Sequence, residues 1–461
     1  MTRALRIAVV GHTNTGKTSL LRTLTRDTGF GEVSSRPGTT RHVEGARLLV
    51  DGEALVELYD TPGMEDPIAL LESLEAIAPP SDERLDGPAR IARFLAGEPA
   101  QGRFEQEAKV LRQMLASDAA FYVVDARDPV LAKHRDELAI LAGCAIPLLP
   151  VLNFVRDAAA NESAWREALA RLGLHAVVRF DTVAPGRDGE RRLYETLATL
   201  LDAWRPALER LVVHREREAR ARHAAALELV AALVIDIAAA RIAVPTEPQA
   251  AVRRTLAELH ERVRRREQAC VDALLALYRF HAQDLDAGHL PLLDGRWETD
   301  LFHPDALRDM GVRLGTGAAA GAAAGLGVDV MVGGLTLGAA AALGALAGGG
   351  WQALRHYGDR LLEHLLGQRE LTVEDAIVRL LALRGLHLVQ ALDARGHAAV
   401  TPIGPVDPHA GTWREGGLPD VVRGARAHPQ WSGVIGAPQA DAERSEAVRE
   451  LAALLGESID R

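Results

Sequence analysis

The chain has 461 residues, of which 48% are hydrophobic and only 4% are aromatic. Such a length predicts about three domains, and an apolar content made mostly of Ala, Leu and Val favours helices. Acidic residues outnumber basic ones by 63 to 53, and the resulting net charge of −10 argues against a general nucleic-acid binder. The two cysteines, Cys144 and Cys270, cannot form a disulfide framework, which predicts a reducing, cytoplasmic compartment.

The first predicted strand, at residues 5–10, leads into a glycine-rich loop and then a helix. Residues 11–18 fit G-x-x-x-x-G-K-[ST], the pattern whose backbone N–H groups wrap nucleotide phosphates. Lys17 is expected to reach the β- and γ-phosphates, and the Thr18 hydroxyl to bind Mg²⁺. The following helix would place its N-terminus against the phosphates. The predicted nucleotide-binding residues here are Gly11, Thr13, Asn14, Thr15, Gly16, Lys17, Thr18 and Ser19.

A polar, turn-rich loop follows at residues 34–41. Thr39 or Thr40 is positioned to contribute a hydroxyl to Mg²⁺ when a γ-phosphate is present and to move away after hydrolysis.

Two strands are predicted at residues 46–50 and 54–59, joined by an Asp-Gly hairpin turn. The second strand ends in D-T-P-G, which begins at Asp60. A carboxylate at the end of a strand suits the second sphere of Mg²⁺, and the Gly63 N–H is expected to contact the γ-phosphate.

These three motifs together resemble bacterial small GTPase domains of the TrmE and Era type. The resemblance implies an α/β P-loop NTPase fold, with a doubly wound, mostly parallel sheet, over residues 1–202. It implies that Asn14 helps to hold a potassium ion, and that Met64 stands where Ras-like proteins have a water-orienting Gln. Hydrolysis would then be K⁺-assisted, with Lys17 and Gly63 in the catalytic set and both Mg²⁺ and K⁺ as cofactors.

The sequence departs from this family at the guanine-reading motif N-K-x-D. Strands are predicted at residues 119–124, 146–152 and 176–180, and the second of these ends in Asn153-Phe154-Val155-Arg156-Asp157. Phe154 replaces the Lys, and Asp157 comes one residue late. We predict that Asn153 and Asp157 contact the nucleotide, while ATP, or a nucleotide bound mainly by its phosphates, stays an alternative to GTP.

The chain between Met64 and Asp118 is longer than a minimal switch needs. It contains predicted helices at residues 68–77 and 104–115. The added segment is either a partner surface beside the switch or a passive excursion.

The second half of the chain is predicted to be mostly α-helical. Two long antiparallel helices flank a Pro-containing break at residues 245–248, and another helix is expected at residues 372–392, opened by Thr372 with Asp375 as its capping partner. The predicted domains are residues 203–400, a helical domain, and residues 401–461, a loop followed by a helix at 440–455. The arrangement resembles a bacterial family in which such a GTPase domain is fused to a helical domain of unknown function.

Residues 314–354 form a Gly/Ala-rich stretch that we interpret as a helical hairpin. Gly317, Gly321 and Gly325 lie at i, i+4 and i+8, and each glycine costs about 1 kcal/mol in a helix relative to Ala. Close backbone packing would offset that cost. The hairpin, with Asp329 near its turn, is inserted in a bilayer, is buried within the helical domain, or switches between the two environments. We favour membrane association, although the first arm is shorter than the roughly 20 residues that span a bilayer.

The sequence therefore predicts a GTP-binding protein that hydrolyses GTP slowly and acts as a switch for a helical, membrane-associated domain. The alternatives are a nucleotide-gated scaffold or membrane-binding module with negligible turnover, and an NTPase without strict guanine preference. Expected partners are GTP or GDP, a membrane surface or the inner membrane, and an unidentified protein, with no nucleic acid.

Overall fold

The computed structural model divides the chain into two compact units, Met1–Arg220 with Asp393–Thr401, and Ala221–Leu392 with Pro402–Arg461. The structure describes residues 3–26, 43–77, 85–182, 185–186, 188–245, 249–280, 292–293, 296–297, 299–303, 306, 310, 328–331, 368–394, 413, 417–438 and 441–460.

A six-stranded sheet forms the centre of the first unit. Its order is β2-β3-β1-β4-β5-β6, and every neighbouring pair is parallel except β2 and β3. The strands are β1 (Leu5–Val10), β2 (Glu44–Val50), β3 (Glu53–Asp60), β4 (Ala119–Asp125), β5 (Leu148–Asn153) and β6 (Val178–Arg179). Near-continuous burial of β1, β4 and β5 is typical of parallel strands covered on both faces. The predicted α/β fold is confirmed, although β6 is shorter than expected.

Helices cover this sheet. They are α1 (Lys17–Thr25), α2 (Pro67–Glu75), α3 (Gly87–Leu95), α4 (Glu105–Leu115), α5 (Ala132–Ala142), α6 (Glu162–Arg171) and α7 (Gly189–Leu200). Each face of the sheet has its own apolar core. One core contains residues of α1 and α7, and the other contains residues of α2, α4, α5 and α6.

The described residues between Met64 and Asp118, 65–77 and 85–117, contribute to the apolar core on one face of the sheet. Helix α3, which the sequence reading missed, begins with Gly87 and Pro88 and is capped by Asp86, whose side chain accepts a hydrogen bond from the Ala89 N–H. A 3₁₀ turn, Glu98–Gln101, connects it to α4.

Two long helices, α8 (Arg205–Ala238) and α9 (Gln249–Leu277), continue the chain. Within the second unit their contacts run in opposite directions. The Cys270 thiol donates to the Leu229 carbonyl at 3.6 Å, and Arg266 pairs with Asp236 at 2.7 Å. The predicted antiparallel arrangement is therefore confirmed.

The second unit also contains a three-stranded antiparallel sheet that the sequence reading did not predict. Its order is β10-β11-β7, formed by β7 (Arg241–Pro245), β10 (Val328–Met331) and β11 (Gln368–Val373). A two-stranded ribbon, β8 (Leu292–Leu293) and β9 (Arg296–Trp297), lies between them in sequence. The remaining helices are α10 (Asp375–Ala394), α11 (Asp420–Ala425) and α12 (Ala442–Asp460).

Two predictions about this region were wrong. Thr372 does not open a helix: it lies in β11, and α10 begins at Asp375, because pairing with β7 and β10 satisfies the backbone of residues 368–373. Asp329 does not lie at the turn of a helical hairpin, since it belongs to β10, in register with Thr372. The rest of the predicted Gly/Ala hairpin, residues 314–327 and 332–354, lies outside the described residues.

No helix in the described part of the chain is both long enough and apolar enough to cross a membrane.

Candidate functional site

The carboxyl ends of five parallel strands meet at one edge of the six-stranded sheet. The loop after β1, the end of β3 at Asp60, the end of β5 at Asn153 and the residues after β6 all lie there. This edge is where doubly wound α/β folds bind their ligands.

Backbone geometry in the loop after β1 explains its two glycines. Gly11 has φ +140°, and a Cβ there would lie 2.4 Å from the Val123 carbonyl oxygen. Gly16 has φ +90°, and its Cβ would lie 2.4 Å from the Asn153 amide nitrogen. Neither position admits a larger residue. Between them, the exposed Asn14 adopts a left-handed φ of 61°, which Asn tolerates better than most residues.

The Lys17 ammonium is buried under this loop. It donates to the Gly11 carbonyl at 3.0 Å and to the His12 carbonyl at 2.7 Å. Burial lowers the pKa of Lys17, while the Asp60 and Glu137 carboxyls favour its charged form. Phosphate oxygens would offer this buried cation stronger, charged acceptors than the two carbonyls.

Thr18 and Asp60 meet at the start of α1. The Thr18 hydroxyl donates to Asp60 Oδ2 at 2.5 Å. Asp60 is buried, and its Oδ1 finds no hydrogen-bond partner among the described residues. Burial raises the pKa of Asp60. A hydroxyl beside a buried carboxylate with an unused oxygen fits Mg²⁺, which takes oxygen ligands and keeps several of its waters.

Gly63 and Met64 lie directly against the loop. A Cβ at Gly63 would come within 2.7 Å of the Thr13 nitrogen, so only glycine permits this approach. Met64 is buried and forms an isolated parallel bridge with His12. The structure thus brings the two motifs of the sequence reading together.

Asn153 joins three parts of the edge. Its Nδ2 donates to the Thr15 carbonyl at 3.0 Å, and its Oδ1 accepts from the Phe154 and Thr182 N–H groups, both at 2.9 Å. The buried Asn153 side chain therefore connects the phosphate loop to the end of β5 and to the residues after β6.

Phe154 stands beside the phosphate loop with φ 55°. Its ring lies 3.6 Å from the position of a Cβ at Gly16, and the Arg127 guanidinium covers it at 4.0 Å from the centroid. Arg127 is itself held by two hydrogen bonds to Asp125, at 2.9 and 2.6 Å. Arg127 belongs to none of the sequence motifs above, although its position just after β4 places it at the ligand edge.

Two acids occupy this region in different ways. Asp157 is exposed, and its carboxylate accepts the Ala159 N–H at 2.9 Å. Asp181, which the sequence reading did not select, is buried, and its Oδ2 accepts the Arg156 N–H at 3.3 Å. Its signal was its place directly after a strand at the same edge.

A buried polar cluster lies behind the loop. Lys133 Nζ donates to His12 Nε2 at 2.7 Å, and the His12 and His134 rings meet edge to face at 5.6 Å. Burial, aided by Lys133, lowers the pKa of both histidines to about 4. Glu137 is completely buried 3.4 Å from the Tyr122 hydroxyl, and burial raises its pKa to about 7.

The other predicted site residues are placed as follows. Ser19 lies half-buried in the first turn of α1. Thr39 and Thr40 lie outside the described residues. Across the described ranges, no three His, Cys, Asp or Glu side chains are grouped closely enough to hold a metal ion.

Two protein-family models match the chain. Residues 6–154 match the model described as 50S ribosome-binding GTPase, and residues 166–453 match the model described as Domain of unknown function (DUF3482). No curated protein matches.

Solved structures similar to the chain include a variant of Era from Aquifex aeolicus bound to GDP and aluminium fluoride. It is 18% identical, with a TM-score of 0.32, and the match covers 43% of this chain and 57% of that one. The chain thus spans less than two thirds of the Era structure. The G domain of the T. maritima FeoB iron transporter is 19% identical with a TM-score of 0.24, and the match covers 43% of this chain and 99% of that one.

The glycine-rich loop, the Thr18–Asp60 pair and the six-stranded sheet agree with the first family match, so the N-terminal part of the chain is a GTP-binding GTPase domain. The second match takes in more than half of the residues, and the chain belongs to the family described as Domain of unknown function (DUF3482).

Proposed function

We propose that this protein binds GTP, hydrolyses it slowly and acts as a molecular switch for its helical part. The observation that carries the proposal is the convergence of Lys17, the Thr18–Asp60 pair and Gly63 around one loop. These groups are an ammonium, a hydroxyl–carboxylate pair and a backbone N–H, the set that phosphoryl transfer requires.

Each group has a distinct role in the proposal. Lys17 binds the β- and γ-phosphates, and the Gly63 N–H contacts the γ-phosphate. Thr18 and Asp60, joined by Thr39 or Thr40, would hold Mg²⁺, which would neutralise charge on the phosphate oxygens. Asn14 contributes to a K⁺ site. The phosphate site is completed by the backbone and side chains of Gly11, Thr13, Thr15, Gly16 and Ser19.

Slow hydrolysis is proposed because Met64 cannot orient a water molecule. A thioether is at best a weak hydrogen-bond acceptor, and the Met64 side chain is buried against the core rather than free in the site. A nucleotide-gated scaffold with negligible turnover is the alternative. Phosphate release stimulated by K⁺ supports the switch, whereas GTP binding without release in either K⁺ or Na⁺ supports the scaffold.

Weak guanine selectivity is a second candidate property, favoured by the exposure of Asp157. A carboxylate that selects guanine must accept from the N1–H and the exocyclic amine of the base. We propose titrating GTP and ATP against the wild type and against Asp157→Ala and Asp181→Ala. Preference for GTP that disappears in Asp157→Ala supports the sequence-based assignment of that residue. Equal affinities for GTP and ATP in the wild type would identify an NTPase without guanine preference.

Membrane association and the domain boundaries are also proposed from the sequence. We propose a GTPase domain over residues 1–202, a helical domain over 203–400 and a C-terminal segment over 401–461. Full-length protein that co-sediments with anionic liposomes, and a variant lacking residues 314–354 that binds nucleotide but stays in the supernatant, would support membrane association. Intact protein that ignores liposomes in both the GDP and the GTP state would refute it.

A further inference from the structure

The added segment between Met64 and Asp118 provides a buried carboxylate that holds the main chain next to Gly63 and Met64. Glu107, on α4, is only 4% exposed. Its Oε1 accepts two backbone hydrogen bonds, from the Glu65 N–H at 3.1 Å and from the Asp66 N–H at 3.2 Å. A carboxylate that accepts backbone N–H groups makes charge-assisted hydrogen bonds, which are stronger than neutral ones.

The residues that Glu107 holds connect the phosphate loop to α2. On one side, Met64 pairs with His12 of the loop. On the other, Asp66 is the N-cap of α2, and its Oδ1 accepts from the Ala69 N–H at 3.1 Å. Glu65 and Asp66, which lie between Met64 and the first residue of α2, are therefore the place where a movement of the Gly63 backbone would be passed to α2.

A second residue of the added segment, whose charge is opposite to that of Glu107, also binds Asp66. Arg103 donates to Asp66 Oδ2 at 2.9 Å. Arg103 is exposed, whereas Glu107 is buried, so salt screens the first contact far more than the second.

Helix α4 is a fixed support for Glu107. Its Ala108 and Leu111 are fully buried in the same core as Met64 and Leu70. The carboxylate is thus presented by a helix whose position is set by packing in this core.

We propose that Glu107 is a positioning residue for the nucleotide switch: it fixes the Glu65–Asp66 backbone so that the Gly63 N–H is held where the γ-phosphate binds. This inference rests on the proposed function. A donor must be placed accurately to stabilise transition-state charge, because a displacement of about 1 Å costs on the order of a hundredfold in rate. The added segment is accordingly a part of the switch and not a passive excursion.

The test compares three variants of the full-length chain. Glu107→Ala removes the acceptor, and Glu107→Gln keeps an acceptor oxygen but loses the charge. Glu105→Ala is the matched control, since Glu105 lies on the same helix, is more than half exposed and pairs with Lys109 at 2.9 Å. GDP affinity, kcat for GTP and amide hydrogen exchange of residues 63–70 are measured for each.

The proposal expects kcat at saturating GTP to fall about tenfold in Glu107→Ala and about threefold in Glu107→Gln. GDP affinity stays within about threefold of the wild type, because the phosphate loop is intact. Glu105→Ala behaves as the wild type in both measurements. A purely structural role would lower thermal stability without this separation of kcat from affinity. Wild-type kcat in a folded Glu107→Ala, or in Glu107→Gln if the alanine variant does not fold, overturns the proposal.

The wild type separates this inference from the proposed function. A wild type that binds no GTP refutes the switch itself, and the positioning role falls with it. If the wild type binds GTP but does not hydrolyse it, the positioning role is tested by hydrogen exchange instead of kcat. A non-hydrolysable GTP analogue should then protect residues 63–70 relative to GDP, and Glu107→Ala should lose that protection. Equal protection in both proteins overturns the positioning role alone.

Discussion

The hydroxyl of Thr18 donates a hydrogen bond of 2.5 Å to the carboxylate of Asp60, although the two residues are 42 positions apart. The contact joins the first turn of α1 to the end of β3 and leaves Asp60 Oδ1 buried without a partner among the described residues. Two oxygen groups, one from the first turn of a helix and one from the end of a strand, therefore converge beside the phosphate loop.

We expect Asp60→Asn to lose the dependence of GTP affinity on Mg²⁺. The amide keeps the shape of the side chain but has no charge to attract the hydrated ion. The ratio of the dissociation constants in EDTA and in Mg²⁺ should fall by about tenfold, or about 1.4 kcal/mol. Asp51→Asn, at the opposite end of β3 in an exposed turn, is the control. An unchanged ratio would contradict the Mg²⁺ assignment.

Lys17→Ala should weaken triphosphate binding by at least about a hundredfold, equivalent to about 2.7 kcal/mol. The reason is the loss of a buried positive charge that would face the β- and γ-phosphate oxygens. Fluorescent GTP and ATP analogues measure the effect, and Lys109→Ala on α4 controls for loss of charge elsewhere in the same unit. Wild-type affinity for both nucleotides in the Lys17 variant would remove the phosphate-loop assignment.

Hydrolysis should be faster in KCl than in NaCl at equal ionic strength, and Asn14→Ala should abolish the difference. The expected cause is a monovalent cation beside the phosphates that supplies positive charge to the transition state. Steady-state phosphate release in the two salts measures it. Equal rates for the wild type would count against a potassium site while leaving hydrolysis itself intact.

The buried Glu137 predicts a pH dependence of stability. Its pKa is raised to about 7 by burial, so the native state binds a proton that the unfolded state has lost between about pH 4.5 and pH 7. Stability from this group is present below pH 4.5 and is lost as the pH rises through 7. Glu137→Gln removes that loss, so its melting temperature relative to the wild type should increase from pH 5 to pH 8.

The largest free-energy change for Glu137→Gln is about 3 kcal/mol, and calorimetry at the two pH values measures it. His12 and His134 are present in both proteins, so their own titration cancels in the comparison. A pH-independent difference would show that Glu137 is ionised throughout.

Replacement of Asp236 should destabilise the second unit. Its side chain is 3% exposed and binds Arg266 and Arg444, both at 2.7 Å. Removing one partner of a buried ion pair leaves uncompensated charge, and Asp236→Ala is expected to cost about 3–5 kcal/mol. Asp272→Ala, on the exposed face of α9, should change stability by less than about 0.5 kcal/mol.

The reactivity of the two cysteine thiols measures the loss of stability in each unit separately. Both are buried, and burial raises the pKa of each to about 12, so neither reacts quickly while its unit is folded. Cys270 should become reactive in Asp236→Ala, whereas Cys144, in the first unit, should keep its wild-type rate. Equal acceleration at both thiols would mean that the units unfold together.

The phosphate site could be predicted from the sequence because its residues follow short motifs at the ends of strands. Gly11 directly follows β1, Lys17 begins the helix after the same loop, and Asp60 ends β3. Parallel strands bring such positions together at one edge of the sheet. Arg127 and Asp181 could have been found from their positions just after strands at the same edge, whereas Glu107 escaped the reading because it acts through a contact that no local pattern encodes. Glu107, for instance, is an ordinary acid in a helical stretch until its two backbone partners are known.

The sheet of the second unit escaped for a different reason. Residues 241–245 and 368–373 are short, and each contains charged residues, so helical periodicity around them dominates the pattern. Their pairing of Ile242 with Leu371 depends on tertiary contacts. Local propensity carries little information about a strand whose partner is so distant in sequence.

The central position of β11 has a consequence for synthesis on the ribosome. Strand β7 emerges first, but its only described partner strand is made roughly 120 residues later, after a delay on the order of ten seconds at typical elongation rates. Until then, neither β7 nor β10 has its hydrogen-bonding neighbour within the described chain. The six strands of the first unit have all been synthesised by Arg179. The sheet of the first unit can therefore form on the nascent chain before the middle strand of the second sheet has been synthesised.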